Sequence, residues 1–240
     1  MPPAHSSRST AIEDYVKAIY LLAESGGDAV TTNALAEHLR VTAASASGMV
    51  KRLAERGLVA HRPYRGTSLS DAGTRLALQV LRRHRLLETF LARELGMSWD
   101  RVHATADVLE HVVSDELERL IAARLGHPAF DPHGDPIPSV DLELVERDTV
   151  RLAALAPGDR ATFLRVSDAD PEILRYLAAR GIAPGVELEV IERQPFGGPL
   201  SVRIGSEVHA FGGALTDAIR VSRAQPAAEH PPETKHNGDR

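Results

Sequence analysis

TNALAEHLRVTAASASGMVKRLAERGLVAHRPYRGTSL, residues 32 to 69, reads as two short helices followed by a β-hairpin. Thr32-Asn33 opens the first helix, in which Ala34, Leu35, Ala36 and Leu39 are apolar. Arg40-Val41 makes a tight turn, Thr42 is placed to cap the second helix, and Gly57 ends it. Leu58 to Leu69 then alternates around Tyr64-Arg65-Gly66. Helix, turn, helix and hairpin in this order predict a winged helix-turn-helix. From Arg40 to Arg65 the basic residues Arg40, Lys51, Arg52, Arg56, Arg62 and Arg65 face one acid, Glu55, although the whole chain carries a net charge of −5. That local excess suits phosphates and sets the segment apart from an ordinary helical hairpin. Small residues early in the second helix (Thr42, Ala44, Ser45, Ser47, Gly48) would let its backbone approach the floor of a major groove. Lys51 and Arg52 lie further along, and Arg62 and Arg65 of the wing would reach the flanking backbone.

On the amino-terminal side, Thr10-Ala-Ile-Glu13 has the spacing of a capping box, and Ile12, Tyr15, Val16, Ile19 and Leu22 recur at helical intervals up to Glu24. On the other side, Ser70-Asp71 caps a long helix to about Gly96, and Ser98-Trp99-Asp100 starts another that is expected to continue to about Leu125. Apolar residues such as Leu81, Leu86, Leu87 and Leu91 on these helices call for a covering surface, which a symmetric dimer commonly supplies. Asp131-Pro-His-Gly-Asp-Pro-Ile-Pro138 reads as a turn-rich boundary loop. Beyond Asp148 come short strands, interrupted by a helix from Pro171 to Arg180, whose number and spacing suggest an SH3-like barrel. The fold class is mainly α with a small β domain. The expected domains are a winged helix-turn-helix (1–74), a helical metal-binding and dimerisation domain (75–147), an SH3-like domain (148–223) and a disordered tail (224–240).

Within the long helices one pattern stands out chemically. His103, Asp107, Glu110 and His111 fall on one side of a helix, and His84 and Glu88 are four residues apart on the preceding one. A single His/Glu pair at that spacing is ordinarily a solvated ion pair, whereas two neighbouring helices offering imidazoles and carboxylates together form a metal-ligand face. With no cysteine in the 240 residues, disulfides are excluded, any ion must be held by oxygen and nitrogen, and soft-metal and zinc-finger readings are weakened. No stretch is apolar enough for a membrane span, and no leader pattern opens the chain, so a cytoplasmic location is expected.

These segments together resemble the diphtheria toxin repressor family of metal-dependent transcriptional regulators, in the form that carries a carboxy-terminal SH3-like domain. The carriers are Glu13-Asp-Tyr-Val-Lys-Ala-Ile-Tyr20, the helix-turn-helix, Arg83-His-Arg-Leu-Leu-Glu88, Val102-His to Asp115-Glu116, and Asp131 to Pro138. The resemblance implies a primary metal site of Asp14, Asp107, Glu110 and His111, and an ancillary site of His84, Glu88 and His103 with Asp170 and Glu172 from the barrel. It brings Asp131 and His133 near metal as well. Iron-sensing members carry a methionine and a cysteine where this chain has Asp14 and Asp107, so the manganese-sensing branch is the closer likeness. Some manganese regulators place a second acid where this chain has Lys17.

By the same resemblance the chain is expected to be a Mn²⁺-activated repressor of manganese-uptake genes, a homodimer on double-stranded DNA and not an enzyme, with Fe²⁺, Co²⁺ and Zn²⁺ as competing ions. An Fe²⁺-dependent regulator of the same fold is the alternative; a metal-dependent hydrolase is disfavoured because no phosphate loop or nucleophile elbow appears. Crowding of Asp14, Asp107 and Glu110 would leave the first helix loose without metal, since like charges about 4 Å apart repel by roughly 4 kcal/mol at an effective dielectric near 20.

Overall fold

The computed structural model describes residues 10–26, 29–62 and 66–222, which form two compact units divided between Glu146 and Arg147. The Tyr64-Arg65 turn and the segment 224–240 lie outside the described residues.

In the first unit, α1 (Thr10–Gly26) buries Ile12, Tyr15, Val16 and Ile19, one face at helical spacing. Against it pack Leu35 of α2 (Thr32–His38), Ala46, Val50 and Leu53 of α3 (Ala43–Glu55), and Leu76, Ala77 and Val80 of α4 (Asp71–Arg93). The turn between α2 and α3 is closed at both ends. Arg40 adopts φ 54°, which lets Val41 N donate to Ala36 O at 2.9 Å, and Thr42 Oγ1 then accepts from Ser45 N at 3.1 Å. α2 opens at Thr32 as the sequence suggests, and Thr31 caps it by accepting from Ala34 N.

The wing is an antiparallel pair, β1 (Val59–Arg62) and β2 (Gly66–Leu69), with Val59 opposite Leu69 and Arg62 opposite Gly66. Ser70 ties it to α4: its hydroxyl accepts from Gly73 N at 3.1 Å and donates to Gly57 O at 2.7 Å. Gly73 itself lies so close to the chain leaving α3 that a Cβ there would stand 2.0 Å from Leu58 O.

The helix expected from Trp99 to Leu125 is two helices, α5 (Trp99–Leu109) and α6 (Asp115–Arg124). Ser114 explains the restart: its side chain accepts from Leu117 N, and Asp115, Glu116 and Glu118 follow at the positive end of the new helix. Glu110 and His111 consequently stand in the corner between α5 and α6 and not on a continuous helical face. The loop Asp131 to Pro138 is also tighter than its Pro/Gly content suggests. Asp131 Oδ1 accepts from His133 N and Asp135 N, both at 2.9 Å, while Arg82 and Arg85 of α4 donate to Pro138 O and Pro136 O. It is a fixed, largely buried part of the first unit.

The second unit is a six-stranded antiparallel sheet in the order β3-β8-β4-β5-β6-β7: β3 (Thr149–Arg151), β4 (Arg160–Val166), β5 (Glu187–Arg193), β6 (Leu200–Ile204), β7 (Glu207–Phe211) and β8 (Ile219–Ser222). Strand alternation points Phe163, Val190, Val202 and Val221 inward, joined by Leu174 and Leu177 of α7 (Pro171–Ala178). A short helix α8 (Gly213–Ala218), which the sequence pattern did not announce, leads into β8.

Candidate metal centre

Helix periodicity brings the ligand-type residues of the first unit together. His84 and Glu88 lie one turn apart on the buried side of α4, His103 and Asp107 one turn apart on α5, and Glu13, Asp14 and Lys17 on one side of α1. Glu110 caps α5 and His111 follows it. Four sets of donor atoms result, each with its atoms within 4.8 Å of one another: Asp14/Glu110/His111, His84/Asp107/Glu110, His84/Glu88/His103 and Glu88/Asp131/His133. Glu110, His84 and Glu88 are shared, so the sets form one continuous polar seam.

The resemblance-based ligand sets map onto this seam with one difference. His84, Glu88 and His103 meet as expected: His84 Nε2 is 3.0 Å from Glu88 Oε1 and 3.2 Å from His103 Nδ1. Asp14, Glu110 and His111 also meet, with His111 Nε2 2.9 Å from Asp14 Oδ1. Asp107 groups with His84 and Glu110 and not with Asp14. The cause is Lys17, whose Nζ donates to Asp107 Oδ1 at 2.9 Å and to Glu110 Oε1 at 2.7 Å. The expected repulsion that would loosen α1 is therefore answered within the chain by this partly buried ammonium. Asp170 and Glu172 lie in the second unit, where Asp170 accepts from Glu172 N and caps α7; among the described residues neither joins a ligand set.

Electrostatics follow from the contacts. Burial pushes the His84 imidazolium down, but Glu88 and Glu110, one at each ring nitrogen, more than offset this and raise its pKa above the ordinary value. Burial pushes the Glu88 carboxyl up, and His84 and His103 outweigh it, holding Glu88 well below the carboxylate range. At Asp107 burial is likewise outweighed, by Lys17 and His84, and the pKa is lowered. Asp14 is raised, because burial exceeds the help of His111 and Lys17. Asp131 is raised well above the usual range by burial and by Asp135 and Glu88.

The fit to a cation is tested by one atom. His133 is fully buried, and its Nε2 sits 2.9 Å from Trp99 O, a contact that requires the proton on Nε2. Its Nδ1 has no hydrogen-bond partner and lies 3.9 Å from Glu88 Oε2, in the set with Asp131. A fully buried ring nitrogen without a hydrogen-bond partner, turned toward carboxylates, is a donor position that a cation would complete. The donors fit a hard divalent ion, all being carboxylate oxygen or imidazole nitrogen.

Two contributors escaped the sequence pattern. Glu13, which reads as part of a capping box, is buried with Oε2 2.8 Å from His111 Nδ1, the contact that orients the opposite ring nitrogen toward Asp14. Its signal was the adjacent Glu13-Asp14 pair on a helix whose other face is apolar. Lys17 was visible as a departure from a pattern, but its partners, 90 and 93 residues away, were not.

On α3, Ala46, Val50 and Leu53 face the core, so Thr42, Ala44, Ser45, Ser47, Gly48, Lys51 and Arg52 are all exposed. Arg62 is in β1, and Arg65 lies outside the described residues.

Residues 8–67 match the family described as "Iron dependent repressor, N-terminal DNA binding domain", residues 70–139 "Iron dependent repressor, metal binding and dimerisation domain", and residues 150–223 "FeoA domain". Iron-dependent repressor IdeR of Mycobacterium tuberculosis (strain ATCC 25618 / H37Rv) is 30% identical over 223 residues, covering 88% of this chain and 96% of that protein. Among solved structures, a manganese-dependent transcriptional repressor in complex with manganese is 46% identical with a TM-score of 0.82, covering 88% of this chain and 99% of its own. The manganese regulator SloR is 32% identical with a TM-score of 0.71, covering 88% and 97%.

Proposed function

The chain belongs to the diphtheria toxin repressor family of metal-dependent transcriptional repressors, and from that premise we propose that it is a Mn²⁺-activated repressor of manganese-uptake genes. As a member it is a DNA-binding regulator and not an enzyme. The observation that carries the metal assignment is the composition of the donor sets: carboxylate and imidazole alone, with Asp14 and Asp107 at the positions the iron-sensing likeness gives to sulfur.

In this reading Asp14, Asp107, Glu110 and His111 bind one ion, and His84, Glu88 and His103 a second, to which Asp131 and His133 add donors through Glu88. The ion would supply positive charge at Asp14 and His111, beyond what Lys17 gives to Asp107 and Glu110. Asp14 and Glu13 then fix α1 to the α5–α6 corner through Glu110 and His111. Because α1 shares its core with α3, fixing it fixes the recognition helix. Thr42, Ala44, Ser45, Ser47 and Gly48 enter the major groove, while Lys51, Arg52, Arg62 and Arg65 contact phosphates. The active species is a cytoplasmic homodimer, with the domain limits near 74/75 and 147/148 and Co²⁺ or Zn²⁺ able to substitute in vitro. No helix among the described residues is long and apolar enough to cross a membrane.

An Fe²⁺-dependent regulator is the second reading, favoured by the iron-dependent repressor at 30% identity. A gel-shift titration with each ion separates the two. Micromolar Mn²⁺ is expected to promote operator binding, and Asp107→Cys to move the preference toward softer ions. Failure of Mn²⁺ to promote binding rejects the first reading, and an unchanged preference in the variant removes the hard-ligand argument.

A further inference from the structure

Lys17 brings an ammonium into the seam of donors, and its position conflicts with that of an ion. Its side chain is 13% exposed, and it donates to Asp107 Oδ1 and Glu110 Oε1. Glu110 Oε1 is also the oxygen that faces His111 Nε2, at 3.7 Å, and His111 Nε2 in turn meets Asp14. An ion seated among Asp14, Glu110 and His111 would therefore draw on the same oxygen as the ammonium. Of the two Asp107 oxygens it could use, Oδ1 is held by Lys17 and Oδ2 stands 3.4 Å from His103 Nε2.

We propose that Lys17 is a resident counter-cation that competes with the metal ion for Asp107 and Glu110, fixing α1 to α5 in the ion's absence and setting the concentration at which the ion takes over. The inference rests on the metal reading of this centre, not on the repressor reading. Two like charges sharing carboxylates repel, so an ion that completes the set of Asp14, Asp107, Glu110 and His111 has to move the Lys17 ammonium off Asp107. The long, flexible lysine stem permits that withdrawal, and the half-exposed Asp107 marks the side toward solvent. Metal selectivity is unaffected by such a device, since any divalent cation meets the same competitor. The threshold for binding is raised.

The competitor role gives two effects of opposite sign, which a merely structural lysine does not. Lys17→Met keeps the stem and removes the charge. Measured with Mn²⁺ alone against a fluorescent chelator, its Kd is expected to tighten by roughly tenfold or more. In EDTA its Tm is expected to fall, because Asp107 and Glu110 lose their internal partner. A Kd that is unchanged or weaker, or a Tm in EDTA that does not fall, overturns the proposal. If K17M does not fold in EDTA, Lys17→Gln, which retains a neutral donor, is read by the same two measurements and the same criteria. No DNA enters the assay, so a failure here is distinct from a failure of Mn²⁺ to promote operator binding.

Discussion

At the scale of single residues, the centre is a set of buried charges whose balance depends on protons as well as on metal. His84 has a carboxylate at each ring nitrogen, Glu110 Oε2 at 2.6 Å and Glu88 Oε1 at 3.0 Å, an arrangement that only the imidazolium satisfies on both sides. Its pKa is raised in the folded chain, against burial, by those carboxylates. Without metal, this interaction therefore contributes stability that is fully present below about pH 6.5, the unperturbed histidine value, and is lost as pH rises through the raised value. Metal binding has the opposite dependence, because coordination through His84 requires the neutral ring. Calorimetric titration of Mn²⁺ from pH 6 to 8.5 is expected to show Kd tightening by up to about tenfold per pH unit until His84 has lost its proton. Thermal melts in EDTA should show Tm falling over the same interval. Parallel trends in the two measurements would show that His84 does not ligate.

At the scale of elements, two glycines separate what the fold needs from what a ligand needs. Gly73 has Leu58 O where a Cβ would stand, so Gly73→Ala must push α4 from the wing and is expected to cost about 3 kcal/mol. Gly48, on the exposed side of α3, would place a Cβ in open space. Gly48→Ala is therefore expected to stabilise the protein by about 1 kcal/mol, a rise of roughly 2–4 °C in Tm, while weakening DNA binding by adding a methyl to the groove-facing surface. Calorimetry with a gel shift checks both, and a Gly48→Ala protein that binds DNA as well as wild type would place the groove contact elsewhere. The contrast also marks how far sequence carries. Helix periodicity exposed α1 to α5, Thr42 announced the cap of α3, and alternation announced the barrel strands, since all of these are local. The break at Glu110 to Ser114 contains neither glycine nor proline, and a continuous apolar stripe ran through it, so only the Ser114 cap hinted at a restart. The rigidity of Asp131 to Pro138 was illegible because its donors, Arg82 and Arg85, stand 51 or more residues earlier. The pairing of ligands was legible by spacing within α4 and within α5, but the splitting of Asp107 from Asp14 depends on where the Lys17 stem reaches in three dimensions.

At the scale of the molecule, a net charge of −5 has to coexist with a DNA-binding surface, and the distribution of apolar area suggests how. Val108 near the end of α5, Val112 in the turn that follows, and Leu117 and Leu120 of α6 are 70%, 73%, 45% and 60% exposed, beside the corner that carries Glu110 and His111. The family match there is to a metal-binding and dimerisation domain. A symmetric dimer closed over this face would cover that apolar area and join two basic winged helices in one complex, doubling the positive charge offered to phosphates. It would also couple metal to DNA. If metal fixes α1 in each protomer, DNA that selects the fixed spacing must tighten metal binding by the same factor, typically 1–3 kcal/mol. Val112→Glu puts a charge into the proposed interface while the side chain remains in solvent in the isolated protomer, so folding should be unaffected. Light scattering is expected to show a monomer at micromolar concentration. Mn²⁺ affinity without DNA should stay near the wild-type value, and the tightening of Mn²⁺ binding by operator DNA should disappear. A Val112→Glu protein that remains dimeric would move the interface off this face, and one that is monomeric yet keeps the DNA-linked tightening would confine the coupling to a single protomer.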